Sequence, residues 1–192
     1  MAVLASASPG LVLRPALAAD LPAIQAIYAH HVLTGSASFE ELPPDVAEMT
    51  RRWQAIQAAG LPYLVAEDQF GAGAGIAGYA YAGPYRPRAA YRFTVEDSIY
   101  LAPQAQGRGI GRALLARIID DATALGLRQM IAVIGDSANQ ASVGLHRALG
   151  FDSVGTFRAV GFKFGRWVDS VLMQRALGAG ATTQPDASAP IN

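Results

Sequence analysis

The 192-residue chain contains no cysteine. That excludes disulfide staples, thiolate zinc ligands and any acyl-cysteine intermediate. Histidine is scarce: only His30, His31 and His146 occur. Their positions carry no metal-ligand spacing, so no metal is expected. An excess of either charge is also missing. Lys+Arg and Asp+Glu both number 15, which leaves no global field to favour nucleic acid or a membrane surface. No apolar run is long enough to span a bilayer. Met1–Gly10 lacks the basic start and apolar core of a secretory signal. The expectation is a cytoplasmic protein that partners neither nucleic acid nor membrane.

What is present suffices for a real core. Hydrophobic residues make up 52%, and the length suits one domain, expected over 1–177. Residues 178–192, rich in Ala, Thr and Pro, are expected to form a disordered tail. Leu11–Leu13 reads as an opening strand. Asp20 stands where it can cap a helix that gathers Ile24, Ile27, Tyr28 and His31 on one face, with Pro22 in its first turn. Asp45 and Glu48 have capping-box-like spacing for a second helix, whose stripe is Met49, Trp53 and Ile56 and whose stop is Gly60. Tyr63–Glu67 and Ile76–Tyr81 read as paired strands across a glycine-rich loop. After a polar loop at 83–92 comes a strand carrying Glu96, then a glycine-rich turn and a helix that stops at Gly126. Gln129–Ile134 reads as a buried strand and Asn139–Leu149 as a helix ended by Gly150. Phe151–Arg175 reads as two strands around a turn near Gly165. This order implies an α/β protein of the mixed α+β kind, a mixed sheet with helices on both faces.

The run from Gln104 to Arg112 is the most informative segment. It joins the alternating strand Val95–Leu101 to the amphipathic helical stretch that starts at Ala113. A glycine-rich turn feeding a helix leaves several N–H groups aimed at one point, with the positive end of the helix dipole behind them. Glycines let that backbone approach a ligand closely, and Arg108 and Arg112 add charge at the rim. The Walker spacing is absent. A Rossmann fingerprint begins at Gly107 and Gly109 but meets Arg112 where its third glycine belongs. A turn whose glycines serve only the chain reversal is the competing reading.

The remaining pattern, Gln106-x-x-Gly109-x-Gly111, resembles the acetyl-CoA loop of the GCN5-related N-acetyltransferases, the GNAT superfamily. Asn139-x-x-Ser142-x-x-Leu-His146-x-x-Leu-Gly-Phe151 is similar to the segment after the fifth strand in that family. Ala82–Arg86 with Thr94–Tyr100, and Val160–Asp169, resemble its phosphinothricin and methionine sulfone/sulfoximine N-acetyltransferase branch. Phe164 and Val168 replace histidines of the close phosphinothricin enzymes, whereas Lys163–Trp167 is similar to the methionine-sulfoximine type. The resemblance covers roughly Leu11–Arg175.

That resemblance implies a mostly antiparallel twisted sheet whose fourth and fifth strands splay, with acetyl-CoA as co-substrate. The implied cofactor contacts are the backbone of Ile99, Tyr100 and Leu101, the loop Gly107, Arg108, Gly109, Ile110, Gly111 and Arg112, and further along Asn139 and Ala148. One amide of the 99–101 stretch would polarise the thioester carbonyl. A protonated amine cannot attack a thioester, so a base is needed, and Glu96 is the candidate; Asp97 points to the opposite sheet face by period two. His146 would lie near the CoA sulfur as an acid. Arg86, Ala89, Ala90, Tyr91 and Lys163 would hold the acceptor, a small amine bearing a carboxylate that suits the planar fork of Arg86. A homodimer, with Lys163 and Trp167 reaching across it, belongs to the same implication.

Other readings stand beside these. Glu96 also fits a strand-edge glutamate paired with Arg92, and His146 a core histidine. Gly135-Asp-Ser137-Ala-Asn139 is a near miss of the G-x-S-x-G of hydrolases, with His146 as its one following histidine. A non-catalytic acetyl-CoA sensor would carry the same loop. A peptide or protein N-acetyltransferase would share the donor machinery and differ in its acceptor loops.

Overall fold

A computed structural model describes residues 10–69 and 75–186. Residues 1–9, the middle of the glycine-rich loop at 70–74 and residues 187–192 lie outside the described residues, and with them most of the segment read for a secretory signal. The strands are β1 (Leu11–Pro15), β2 (Tyr63–Asp68), β3 (Gly75–Pro84), β4 (Thr94–Leu101), β5 (Gln129–Gly135), β6 (Asp152–Lys163) and β7 (Arg166–Ala176). The helices are α1 (Leu21–Thr34), α2 (Val46–Ala58), α3 (Ile110–Ala124) and α4 (Gln140–Ala148). Among the described residues no helix is long and apolar enough to cross a membrane.

One sheet in the order β1-β2-β3-β4-β5-β7-β6 organises the domain. Every neighbouring pair is antiparallel except β4 and β5, which run parallel. That pair is short. It covers only Thr94–Asp97 against Gln129–Ala132, after which β4 continues to Leu101 on β3 alone. The two central strands therefore diverge immediately after Asp97. The splay expected of this fold is present.

The period-two alternation of strands sorts β4 cleanly between the faces. Ile99 and Leu101 turn towards α3, where their methyls lie 3.6 and 3.4 Å from the position a Cβ on Gly111 would take. Tyr100 turns the other way, edge-on to Tyr28 of α1 at 5.0 Å between ring centroids. Helices therefore cover both faces. Leu114, Leu115 and Ile118 of α3 are fully buried, and side chains of that size contribute about 1.5–3 kcal/mol each when removed from water.

Local signals in the sequence operate mostly as read. Asp45 accepts from the Glu48 N–H at 2.7 Å and caps α2, and Gly60 stops it in the left-handed region at φ 67°. Asp20 departs from its expected role. Its carboxylate does not cap α1; it accepts from the Leu17 N–H of the preceding single turn and pairs with Arg14 at 2.7 Å. A nearby guanidinium outcompetes the helix amides for it, and holds the Asp20 carboxyl below the usual carboxylate range. Within the segment read as a tail, residues 178–186 are described and hold turns only. Gly180 N–H bonds back to Leu177 O, and Arg128 donates to Gly180 O, Thr183 Oγ1 and Gln184 O. Arg128 offers enough donors to order a polar segment that has no hydrophobic pattern of its own.

The loop after α1 is pressed onto the end of β5. A Cβ on Gly135 would lie 2.1 Å from the Ser36 carbonyl oxygen, so only glycine admits this approach. Ser36 Oγ donates to Asp136 at 2.8 Å, and Arg166 pairs with the same carboxylate. Those donors, Arg166 first, then the Ala138 N–H and Ser36, hold the Asp136 carboxyl down at about 2.

Candidate active site: two cavities on one strand

The splay of β4 from β5 opens a cleft of about 680 Å³. Its walls come from the 98–101 end of β4, the Ile134–Asp136 end of β5, the start of α4, the loop at 35–37 and the glycine turn before α3. Gln106, Gly107, Gly109, Gly111 and Arg112 form the mouth. Gly109 is the N-cap of α3 in the left-handed conformation, φ 77°, and no side chain caps the helix. The first intrahelical bond runs from Ala113 N–H to Gly109 O, which leaves the amides of Ile110, Gly111 and Arg112 facing the mouth. This is a ready anion seat. Gly111 faces Ile99, Leu101 and Leu145, which a Cβ there would meet at ordinary contact distance.

Not every residue named for this site reaches it with its side chain. Arg108 turns away and pairs with the buried Asp68 of β2 at 2.7 Å, so only its backbone belongs to the turn. Ile110 is buried under the helix. Ala148 sits at the far, exposed end of α4 and does not line the cleft. Asn139 does line it, but its side-chain oxygen caps α4 by accepting from Ser142 N–H at 3.2 Å, leaving the NH₂ end for a ligand. His31 lines the cleft as well, and its Nε2 donates to the Leu101 carbonyl at 2.8 Å, fixing the free end of β4. Burial lowers the pKa of that imidazole, partly opposed by the bond to Leu101.

His146 lies at the floor of this cleft. Nε2 is 2.9 Å from Asp97 Oδ2 and Nδ1 is 2.8 Å from the Ser142 carbonyl. Burial pushes its pKa down, and the bond and charge of Asp97 push it up further, so the net direction is upward. Ser137 donates to Asp169 at 2.7 Å, not to His146. The nucleophile–base bond that a serine hydrolase requires is therefore missing here, and the hydrolase reading loses its geometry.

Glu96 faces the opposite side of β4. It opens on a second cavity of about 360 Å³ beneath α1 and α2, walled by Tyr28, Tyr63, Tyr79 and Tyr81 with Met49 and Arg52. Tyr63 stacks on Tyr81 at 4.9 Å and on Tyr79 at 5.8 Å. Burial raises the pKa of all three hydroxyls, so these tyrosines stay neutral. Burial also raises the Glu96 carboxyl, with the Asp97 charge adding to it, which suits a group that must hold a proton in turnover. Arg52 is held by Glu40 at 2.6 Å and Glu48 at 2.7 Å. Glu96 and His146 thus occupy different cavities. Ser98 lines both, and it is the first residue of β4 past the last rung with β5.

The residues read for acceptor binding gather less closely. Arg86 is two residues past Pro84, which lines the chamber, and lies over the rings of Tyr85 and Tyr91 at 5.1 and 5.8 Å. It lines neither cavity, and among the described residues no carboxylate pairs with it. Ala89–Tyr91 form a single helical turn beside it. Lys163 is buried elsewhere, donating to the carbonyls of Gly35 at 2.9 Å and Ser38 at 2.7 Å. It anchors the loop over the cleft and touches neither cavity. Ser98, Arg52 and the tyrosine walls were not singled out from the sequence, and Asp97 was placed on its face without its partner. Only the alternation of Tyr79 and Tyr81 carried a signal for them.

Comparison with known proteins agrees with this geometry. The family model described as "Acetyltransferase (GNAT) family" matches residues 24–151. The chain is 59% identical over 167 residues to a phosphinothricin N-acetyltransferase of Alcaligenes faecalis, covering 87% of this chain and 83% of that protein. It is 43% identical over 178 residues to an L-methionine sulfoximine/L-methionine sulfone acetyltransferase of Pseudomonas paraeruginosa, covering 93% and 98%. A crystal structure of a GNAT superfamily phosphinothricin acetyltransferase from Sinorhizobium meliloti, in complex with AcCoA, superposes with a TM-score of 0.89 at 52% identity, covering 94% of this chain and 95% of that one. The splayed β4–β5 cleft, the uncapped helix at its mouth and these matches lead to one conclusion: the chain belongs to the acetyltransferase (GNAT) family.

Proposed function

We propose that the protein acetylates the amino group of a small amino-acid analogue of the methionine sulfone, methionine sulfoximine or phosphinothricin kind, with acetyl-CoA as donor. The observation that carries this reading is the meeting of two cavities at Ser98 on the free end of β4. Acetyl-CoA lies in the cleft, its pyrophosphate on the amides of the Gly107–Arg112 turn, its pantetheine arm along Asn139 and the unpaired 99–101 edge of β4. The acceptor lies in the tyrosine chamber. A volume of about 360 Å³ is at the lower end of small-molecule sites and suits an amino acid better than a protein segment.

Glu96 takes the proton from the acceptor ammonium, and the freed amine attacks the thioester carbonyl through the gap beyond Asp97. A backbone N–H of the 99–101 stretch stabilises the oxyanion. The C–S bond then breaks, the CoA thiolate leaves and takes up a proton, and the amide nitrogen loses one. Both substrates sit at once on one strand, so transfer is direct and no acetyl-enzyme forms. Arg86, two residues past the chamber wall at Pro84, receives the acceptor carboxylate with the amides of Ala89 and Ala90, its charge paired with no carboxylate among the described residues. Lys163 contributes through the loop it anchors.

The protein is further proposed to be a cytoplasmic homodimer. The support for a dimer is β6, an edge strand whose Phe157, Val160 and Phe162 are exposed together with Phe164 and Trp167 of the adjoining turn and β7. A long apolar edge of this kind is a surface that a second copy covers.

The test is an acceptor panel read by release of free CoA thiol. Methionine sulfone, methionine sulfoximine and phosphinothricin should turn over, and their decarboxylated analogues poorly. Preference for peptide N-termini would replace this reading with a protein acetyltransferase.

A further inference from the structure

Both ring nitrogens of His146 are already used by the protein. A carbonyl oxygen can only accept, so the 2.8 Å contact with Ser142 O requires a hydrogen on Nδ1. At Nε2 the partner is a carboxylate oxygen, Asp97 Oδ2 at 2.9 Å, so a proton must lie between them. Both side chains are only 2% exposed. Removing that proton would set two acceptors face to face where water cannot intervene. The other oxygen of Asp97, Oδ1, is buried with no hydrogen-bond partner among the described residues, so no second bond there holds Asp97.

The place of this pair matters as much as its chemistry. Asp97 opposite Ala132 is the last rung between β4 and β5. The bond to His146 thus fastens α4 to β4 at the branch point of the splay. Beyond it are Ser98 and the free edge of β4 that the proposed transfer uses.

We propose that Asp97 is a positioning residue: it bolts His146 to β4 at the branch point, and the bolt closes only while the pair holds its shared proton. The acetyl-CoA cleft is consequently well formed when the pair is protonated and loosens when the proton is lost at alkaline pH. The groups that face the imidazole are Asp97 from β4, the Ser142 carbonyl and, at 3.4 Å, the Ser142 hydroxyl from its own helix, and the Phe151 ring edge-on at 5.0 Å. The other titratable side chains lining the cleft are His31, Tyr100, Arg112 and Asp136, none of which forms an ion pair with either member. His31 is held by Leu101 O and Asp136 by Arg166.

This inference rests on the assignment of the cleft to acetyl-CoA, and its test separates the two. Calorimetric titration with acetyl-CoA across neutral to alkaline pH reads the cleft without the acceptor amine. In the wild type, affinity should hold near neutrality and fall by about tenfold or more through a one-proton alkaline limb. Asp97→Asn offers a neutral Nε2 an amide N–H, so it should bind more tightly than Asp97→Ala, and the limb should be absent from both. A wild-type limb that survives in either variant overturns the proposal. Imidazole ¹⁵N spectra of the unliganded wild type give an independent reading. Both ring nitrogens of His146 should be protonated at neutral pH. An unprotonated Nε2 at neutral pH overturns it as well. No acetyl-CoA binding at any pH, with the protonated pair still seen in the spectra, would instead overturn the assignment of the cleft.

Discussion

The two faces of β4 are built by different means. On the cleft side the working groups are backbone: the amides at the start of α3, the unpaired edge of β4 and a glycine turn with φ near 77° at its cap. On the chamber side they are side chains drawn from α1, α2, β2, β3 and β4, with Glu96 at the wall. Backbone sites need a local sequence pattern, because neighbouring residues make them. Side-chain sites need only that the fold bring distant positions together. A donor common to a whole family suits the first construction, and an acceptor that varies suits the second.

The comparison breaks most sharply at Glu96. Glu96→Gln keeps the size and loses the proton acceptor, so kcat should fall by about 10²–10⁴ while acetyl-CoA affinity changes little. Burial raises the Glu96 carboxyl above its usual range. A general base works ionised, so kcat should rise with pH through that raised pKa, and the variant should lose that rise. A rate profile unchanged in the variant would move the base elsewhere.

Next in size is the donor seat. Gly109→Val forces a β-branched residue into the left-handed region and crowds the anion site. The side chain takes the space the phosphates need, so acetyl-CoA KM should rise by about tenfold or more, and the strained position should also lower stability by about 1–3 kcal/mol. Acceptor KM should not follow. If it rises equally, the two faces are less independent than described.

Arg86→Ala sharpens the other side. Loss of a charge-assisted pair of bonds should raise acceptor KM by about tenfold or more, with acetyl-CoA binding intact and decarboxylated acceptors indifferent. The parallel change Arg52→Ala discriminates between the two cations. A larger effect there would place the carboxylate inside the chamber. The smallest effect on turnover is expected from charging β6. Val160→Asp with Phe162→Asp should convert a sedimenting dimer to monomer, and a wild type already monomeric would remove the dimer proposal.

The same contrast explains what the sequence made legible. The glycine turn, the strand that feeds it and the Asp45 cap were readable because each is a local pattern with a local cause. The assignment of Glu96 and Asp97 to opposite faces followed from period two alone. The partners of those residues were not readable: no spacing joins Asp97 to His146 or Lys163 to the Gly35 and Ser38 carbonyls, which meet only through the sheet order. Arg108 looked like phosphate charge because its partner, Asp68, is forty positions away in the chain. Asp20 looked like a cap because its competitor Arg14 belongs to the strand before it.

The central claim is that donor and acceptor occupy opposite faces of β4 and react across its free end. A crystal structure of Glu96→Gln with CoA and methionine sulfone bound together tests it most directly. The CoA sulfur should lie in the β4–β5 splay near Ser98, and the amino acid in the tyrosine chamber with its amine beside residue 96. An acceptor found instead on the cleft side, beside His146, would contradict it.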